Sequence, residues 1–257
     1  MQVRVLSGMQ SNVIYPFMKN GIILAGGTGS RLFPLTHVIN KHLLGIDGQF
    51  IIDYPINTLK QMGVENVTVI LGGAHFSQVV GYLQDGSRYG MNFNYVYQGE
   101  PKGIAHAINL CKRHVSDQDE FSVILGDNIY ENPVKWSADC GNAQIVLHKH
   151  QELNRFGVAS LNSGKIVNIQ EKPQSINYDY DNYAITGCYL FTREYFDFFE
   201  KMKPSARGEY EITDIINSYN NASILDWTSV DGLWSDAGTH ESISFVNDYF
   251  YNKKAQD

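Results

Sequence analysis

Cationic side chains are scarce in this sequence: 20 Lys and Arg stand against 27 Asp and Glu, a formal charge of −7 over 257 residues. Those cations are scattered, and without a dense basic stripe, broad electrostatic binding to nucleic acid or to an anionic lipid surface is excluded. Cysteine occurs only three times, at Cys111, Cys140 and Cys188. An odd number at wide spacing, with no CxxC or Cys/His pattern, reads as reduced thiols of a cytoplasmic protein, and argues against a disulfide framework or a zinc site. No apolar run approaches the roughly 18 residues of a membrane span. The first 17 residues carry Arg4, Gln10, Ser11 and Asn12 among their apolar residues, which makes a poor signal peptide. Internal repeats and low-complexity linkers are missing as well.

What is present is 43% apolar residues against 18% charged ones, enough to bury the core of one globular domain. Short β-branched runs alternate with amphipathic segments through the first half, the pattern of a parallel sheet flanked by helices. Strands are predicted over 21–24, 67–71, 93–97 and 121–125, with helices over 54–62, 76–83 and 104–112 between them and Gly63 as a helix stop. Beyond Gly126 the periodicity changes. Segments 145–149, 158–161, 165–170 and 183–191 read as strands, with Asn162-Ser163-Gly164 as a hairpin turn, and helices resume over 194–199, 212–219 and 243–251. The fold class is therefore α/β, a mixed and mostly parallel sheet with a β-rich insertion.

The strand 21–24 runs into Gly26, Gly27 and Gly29 and then Arg31. Glycines allow a tight turn whose bare N–H groups reach phosphate oxygens, and the arginine adds a forked cation. The loop lacks the Gly-Lys-Ser/Thr ending of a P-loop, and Leu32 stands where a dinucleotide fingerprint needs its last glycine. An NAD-dependent dehydrogenase would also need an acidic residue closing the second strand, where Gly72-Gly73 is found. Taken alone, the glycines are explained equally well as a strand-to-helix turn. Asp127 closes the apolar run Val123-Ile124-Leu125, at the sheet edge where open α/β folds bind ligands, and Asp236 follows Leu233-Trp234. Taken alone, each such aspartate is more often a turn or cap residue than a metal ligand.

The string Leu24-Ala25-Gly26-Gly27-Thr28-Gly29-Ser30-Arg31-Leu32, with Lys41 ten residues after the arginine, resembles the sugar-nucleotide pyrophosphorylases, and among them the glucose-1-phosphate thymidylyltransferases. The similarity continues in order through Tyr54-Pro55, Gly86-Ser87, Gln98, Leu125-Gly126-Asp127-Asn128, Phe156-Gly157-Val158, Gln170-Glu171-Lys172-Pro173, Thr186-Gly187, Lys203-Pro204-Ser205-Ala206-Arg207-Gly208-Glu209 and Asp236-Ala237-Gly238-Thr239-His240. The resemblance implies a Rossmann-like nucleotide-diphospho-sugar transferase fold. A nucleotide-binding part spans about 18–130 and a sugar-binding part about 131–240, with a C-terminal helix to 257 and residues 1–17 as an extension outside the match.

The implied reaction is attack of a glucose 1-phosphate oxygen on the α-phosphorus of dTTP, assisted by Mg²⁺, with no nucleic acid and no membrane as partner and a homo-oligomer as the assembly. Arg31 and Lys41 resemble the triphosphate clamp, Asp127 a catalytic residue, and Asp127 with Asp236 the metal pair. Leu24, Gly26, Gly27, Thr28, Gly29, Ser30, Gln98 and Gly103 fall on nucleotide-binding positions, and Asn128, Gly157, Glu171, Lys172, Ile185 and Arg207 on sugar-phosphate-binding ones. The chain departs from the family at Lys41-His42-Leu43-Leu44-Gly45, at Gln49-Phe50, at His106 and at Phe156. Those departures bear on base and sugar, so a UTP- or CTP-dependent enzyme stays open beside the dTTP-dependent one. A non-catalytic nucleotide-sugar-binding module would be expected to have lost one of Arg31, Lys41, Asp127 or Asp236, and all four are present.

Overall fold

A computed structural model describes residues 19–115, 120–137 and 142–255; the N-terminal extension and Cys140 lie outside them. The strands are β1 (Asn20–Ala25), β2 (Gly45–Ile46), β3 (Gln49–Phe50), β4 (Asn66–Leu71), β5 (Asn92–Tyr97), β6 (Glu120–Leu125), β7 (Asn128–Tyr130), β8 (Ala143–His148), β9 (Gly157–Asn162), β10 (Lys165–Glu171), β11 (Asp181–Thr192), β12 (Leu225–Ser229) and β13 (Trp234–Asp236). The helices are α1 (Asp53–Gln61), α2 (Phe76–Leu83), α3 (Ile104–Leu110), α4 (Lys112–Val115), α5 (Glu194–Phe199), α6 (Ile212–Asn221) and α7 (His240–Lys254). None is long and apolar enough to cross a membrane.

The expected parallel half is β6-β1-β4-β5, all parallel neighbours. Its strands are apolar runs because both faces are covered. Ile23 and Val69 join Ile56, Leu59 and Val79 on one face, while Ile22 and Val123 join Ile108 and Ile215 on the other. Gly63, in the left-handed region at φ 85, ends α1 as expected. The single helix expected over 104–112 divides at Cys111, whose N–H bonds to Ile108 O at 2.9 Å, a tightened last turn before α4.

β11 joins the halves. Cys188–Thr192 pairs antiparallel with β6, whereas Asp181–Ala184 pairs with β9, which continues to β10. Across its other partner, β8, the register shifts between Ile185 and Tyr189, so Thr186-Gly187-Cys188 bulges where the two halves meet. The predicted hairpin turn between β9 and β10 holds: Ser163 and Gly164 both have positive φ, 48 and 79, the geometry that matches strand twist. Five short strands, β2, β3, β7, β12 and β13, were not expected.

β13 pairs antiparallel with β7, placing Asp236 opposite Asn128. α7 starts at His240, ahead of the expected 243, because Thr239 and Ser242 exchange hydrogen bonds in a capping box. Glu131 ties these pieces together. Its carboxylate accepts from Leu233 N at 2.7 Å, Tyr249 OH at 2.6 Å and Lys253 Nζ at 2.6 Å. The Lys253 bond first, then those from Tyr249 and Leu233, hold this carboxyl at about 2, below its ordinary 4.5. A depressed carboxyl stabilises the fold above its unfolded value and loses that contribution as pH falls toward the folded one. Glu131→Gln should therefore cost about 1–3 kcal/mol at neutral pH. In urea titrations across pH its deficit should shrink from about 4.5 down to about 2; a deficit constant over that range would refute the account.

Candidate active site

The C-terminal ends of β1 and β6 open into a cleft of about 600 Å³ whose far wall is built by the β-rich half. Lys41 enters from a short 3-10 turn, Lys41–Leu43, capped by Asn40, whose side-chain oxygen accepts from His42 N at 3.0 Å and lies 2.9 Å from His42 Nδ1. The turn aims Lys41 Nζ at Asp127 Oδ2, 2.6 Å away. Burial pushes the Asp127 carboxyl upward; the charge and hydrogen bond of Lys41 more than reverse this and hold it at about 2. His42 is driven to about 3 by burial and by the adjacent Lys41 charge, so its imidazole is neutral.

Asn128, 1% exposed, is the junction of the site. Its Oδ1 accepts from Gly187 N at 3.0 Å and Trp234 Nε1 at 2.7 Å, and its Nδ2 donates to Asp127 Oδ1 at 3.2 Å. One amide thus links the β11 bulge, β13 and the Asp127–Lys41 corner. Ala237 N also donates to Asp127 O at 2.8 Å, which brings the two aspartates onto one wall. The Asp236 carboxyl is raised by burial first and then by the negative charge of Asp127, with Arg155 and Arg31 opposing. A side chain on Gly238 would stand 2.8 Å from Arg31 Nη2 and 3.2 Å from Asp236 Oδ2, so the guanidinium and carboxylate converge over bare backbone there.

Opposite lies the Glu171-Lys172 corner. Thr213 donates to Glu171 Oε2 at 3.3 Å, and Lys172 Nζ and Arg207 Nη2 each approach Glu171 Oε1 at 3.5 Å. Burial, then the opposing Lys172 charge and the repulsion of Glu211, leave the Glu171 carboxyl raised. Lys172 adopts φ 42, a left-handed conformation uncommon for a side-chain-bearing residue, held by its N–H donating to Phe156 O at 3.0 Å. At the nucleotide end, the Gln98 amide lies directly on Gly26, leaving no room for a Cβ. Gly103, at φ 95, is pressed against Tyr210, whose carbonyl would lie 2.5 Å from any Cβ.

Of the positions singled out from sequence, Arg31, Lys41, Asp127 and Asp236 share this cleft with Leu24, Gly26, Gly27, Gln98, Gly103, Asn128, Gly157, Glu171, Lys172, Ile185 and Arg207. Thr28, Gly29 and Ser30 do not line it. Gly29, at φ 70, initiates the turn Ser30–Leu32 and its carbonyl accepts from Thr36 Oγ1 at 2.8 Å, so these three re-aim the chain and carry Arg31 back to the wall. Sequence reasoning missed Arg155, Trp234, Glu211 and Thr213, all on the lining. Arg155 and Trp234 sit beside matched blocks, but their partners are distant in the chain.

Asp127 and Asp236 suit a hard divalent cation. They are two oxygen donors on one wall, the second destabilised by the charge of the first, and Mg²⁺ takes one or two carboxylates with phosphate oxygens and water. Among the described residues no cluster of three or more His, Cys, Asp or Glu offers an all-protein cage.

Residues 20–252 match the family described as Nucleotidyl transferase. The chain belongs to that family. It is 37% identical over 243 residues to the low-salt glycan biosynthesis nucleotidyltransferase Agl11 of Haloferax volcanii, covering 91% of this chain and 67% of the relative. It is 34% identical over 235 residues to a glucose-1-phosphate thymidylyltransferase of Neisseria meningitidis, 87% of this chain and 79% of the relative. A Bacillus anthracis crystal structure, provisionally described as a glucose-1-phosphate thymidylyltransferase in complex with sucrose, superposes with TM-score 0.82 at 40% identity, over 90% of this chain and 94% of that one. UDP-glucose pyrophosphorylase with UDP-glucose, at TM-score 0.78 and 23% identity over 92% of this chain and all of that one, shares the fold. The sheet order with its flanking helices is thus that of the nucleotide-diphospho-sugar transferases, and the protein is a nucleotidyltransferase of the sugar-1-phosphate type.

In this nucleotidyltransferase Asn128 carries the union of the two walls. Asn128→Ala would leave two buried donors, Gly187 N and Trp234 Nε1, without an acceptor. The expected cost is about 2–4 kcal/mol, read as a lower urea midpoint at unchanged m-value. A midpoint within error of wild type would show that the junction is not structural.

Proposed function

We propose that this enzyme transfers a thymidylyl group from dTTP to α-D-glucose 1-phosphate, releasing pyrophosphate. The observation that carries the reading is the convergence of Arg31, Lys41, Asp127 and Asp236 in one cleft with Lys172, Arg207 and Glu171 facing them. Both substrates are anions and the leaving group gains charge, so placement and charge compensation do the chemistry and no side-chain nucleophile is needed. Arg31 and the Gly26-Gly27 backbone meet the triphosphate, and Gln98, whose amide can both donate and accept, faces a pyrimidine edge beside Leu24 and Gly103. Lys172 and Arg207 receive the sugar phosphate, while Glu171 accepts hydrogen bonds from sugar hydroxyls, with Gly157, Ile185 and Asn128 forming the floor. Asp127 and Asp236 would hold Mg²⁺, which when bound supplies compensating charge to the phosphates. Lys41 keeps Asp127 ionised for that role. We place the enzyme in the cytoplasm, in keeping with the free, buried Cys111 and Cys188, and as a homo-oligomer.

The decisive test is pyrophosphate release with glucose 1-phosphate across dTTP, UTP and CTP. The reading expects dTTP to give the highest kcat/KM; if dTTP proves the poorest donor, the base assignment is wrong. Asp127→Asn and Asp236→Asn should each lower kcat by about 100-fold or more, as loss of a preorganised charge-stabilising group does, with circular dichroism unchanged. Full turnover of either variant in Mg²⁺ would discredit the metal pair. Lys172→Ala should raise KM for glucose 1-phosphate more than KM for dTTP, and the opposite order would mean the two ends of the cleft are exchanged.

A further inference from the structure

We propose that Arg155 is a further substrate-binding residue, a cation that grips the sugar phosphate together with Lys172; the inference rests on the reaction proposed above. Arg155 ends the 3-10 turn Leu153–Arg155, and its side chain lies on the cleft lining. The next residue, Phe156, is fastened through its carbonyl to the N–H of Lys172 at 3.0 Å, so Arg155 and Lys172 stand on two corners joined by one backbone bond. Arg155 Nη2 also reaches Asp236 Oδ1 at 3.3 Å. It is therefore the cation that spans from the aspartate wall to the sugar wall, where the two reacting phosphates must meet.

The other arginine on the sugar wall is less free. Arg207 donates to Glu211 through three hydrogen bonds of 2.9, 2.9 and 3.2 Å, and Glu171 and Glu209 lie 3.5 and 3.7 Å from its Nη2. A phosphate approaching Arg207 competes with three carboxylates. Arg155 keeps two contacts: a 2.7 Å bond to Glu152, whose side chain is 60% exposed, and the single 3.3 Å contact to Asp236. The latter is longer than the roughly 2.7–2.9 Å of a strong charge-assisted bond, and an arginine has five N–H donors to share. Stacking of its guanidinium toward the Phe156 ring, 5.3 Å away, orients that fork along the cleft wall.

Steady-state kinetics of Arg155→Met and Arg155→Lys test this against dTTP, glucose 1-phosphate and Mg²⁺ varied in turn. Loss of one charge-assisted phosphate contact should raise KM for glucose 1-phosphate by about 10–100-fold in Arg155→Met. KM for dTTP and the half-activating Mg²⁺ concentration should stay within about threefold. Arg155→Lys, which keeps the charge and loses the fork, should show a smaller rise of about 3–10-fold and serves as the probe where the methionine variant does not fold. Calorimetric titration of glucose 1-phosphate alone, without triphosphate or metal, should lose affinity in parallel. An unchanged KM overturns the proposal, as does a shift in Mg²⁺ requirement with KM preserved, which would reduce Arg155 to a strut for Asp236. Should the wild-type enzyme transfer nothing to glucose 1-phosphate, the functional reading fails separately. The calorimetric comparison then decides for Arg155 alone: wild-type and variant proteins that bind glucose 1-phosphate equally, or not at all, overturn it.

Discussion

Two carboxylates, Asp127 and Asp236, are half-buried within electrostatic reach of each other, and loss of solvent disfavours the charged form of both. The protein meets this constraint unequally. Lys41, at 2.6 Å, settles Asp127 as an anion. Arg155 at 3.3 Å and the nearby Arg31 offset only part of the penalty on Asp236, whose carboxyl remains raised. The cleft thus carries one settled negative charge and one unsettled one. Removing a partner from such a pair costs more than the pair contributes, because the remaining charge is left buried and uncompensated. The cations and carboxylates of this wall are consequently a single unit, and the backbone around them is arranged to keep them in register.

That backbone is held at few points. The β11 strand serves the parallel half with Cys188–Thr192 and the β-rich half with Asp181–Ala184, and the bulge between them turns Gly187 N onto Asn128. Asn128 then reaches Asp127 on one side and Trp234 on the other. From Trp234 the chain passes through Asp236 to Thr239, where the capping box starts α7, and α7 returns through Tyr249 and Lys253 to Glu131 beside β7. The cleft-facing aspartates are therefore clamped within a closed circuit of polar contacts, of which the Lys253–Glu131 link is exposed and the others are buried or half-buried.

The parallel half was legible because its strands are covered on both faces and so are written as uninterrupted apolar runs. Asp127 could be placed for the same reason, as the polar residue that ends such a run. β13 escaped because two of its three residues, Ser235 and Asp236, are polar, and β7 because three residues are too few for a period to show. The start of α7 was missed because serine fills the capping-box position where glutamate or glutamine is the usual sign. Arg155 was invisible for a different reason: its place on the cleft wall is marked by a contact with Asp236, 81 residues away, which no local pattern records. The resemblance to the pyrophosphorylases located most of the lining; Thr28, Gly29 and Ser30 lie outside it, in the turn that carries the chain to Arg31.

The lining holds five cations, Arg31, Lys41, Arg155, Lys172 and Arg207, and five carboxylates, Asp127, Glu171, Glu209, Glu211 and Asp236. A cleft so balanced carries no net formal charge to draw in a triphosphate, so affinity in the proposed reaction draws on exchange of partners. Each cation that turns to a phosphate oxygen leaves a carboxylate free. The freed carboxylates are acceptors suited to sugar hydroxyls at Glu171 and to a divalent cation at Asp127 and Asp236. Occupancy by the anion and occupancy by these donors then favour each other, since each removes a competitor for the other, and thermodynamic linkage requires the coupling to be reciprocal. Pairing most of these charges internally, which looks self-defeating for an anion-binding site, keeps the empty cleft stable and lets each reactant strengthen the binding of the others.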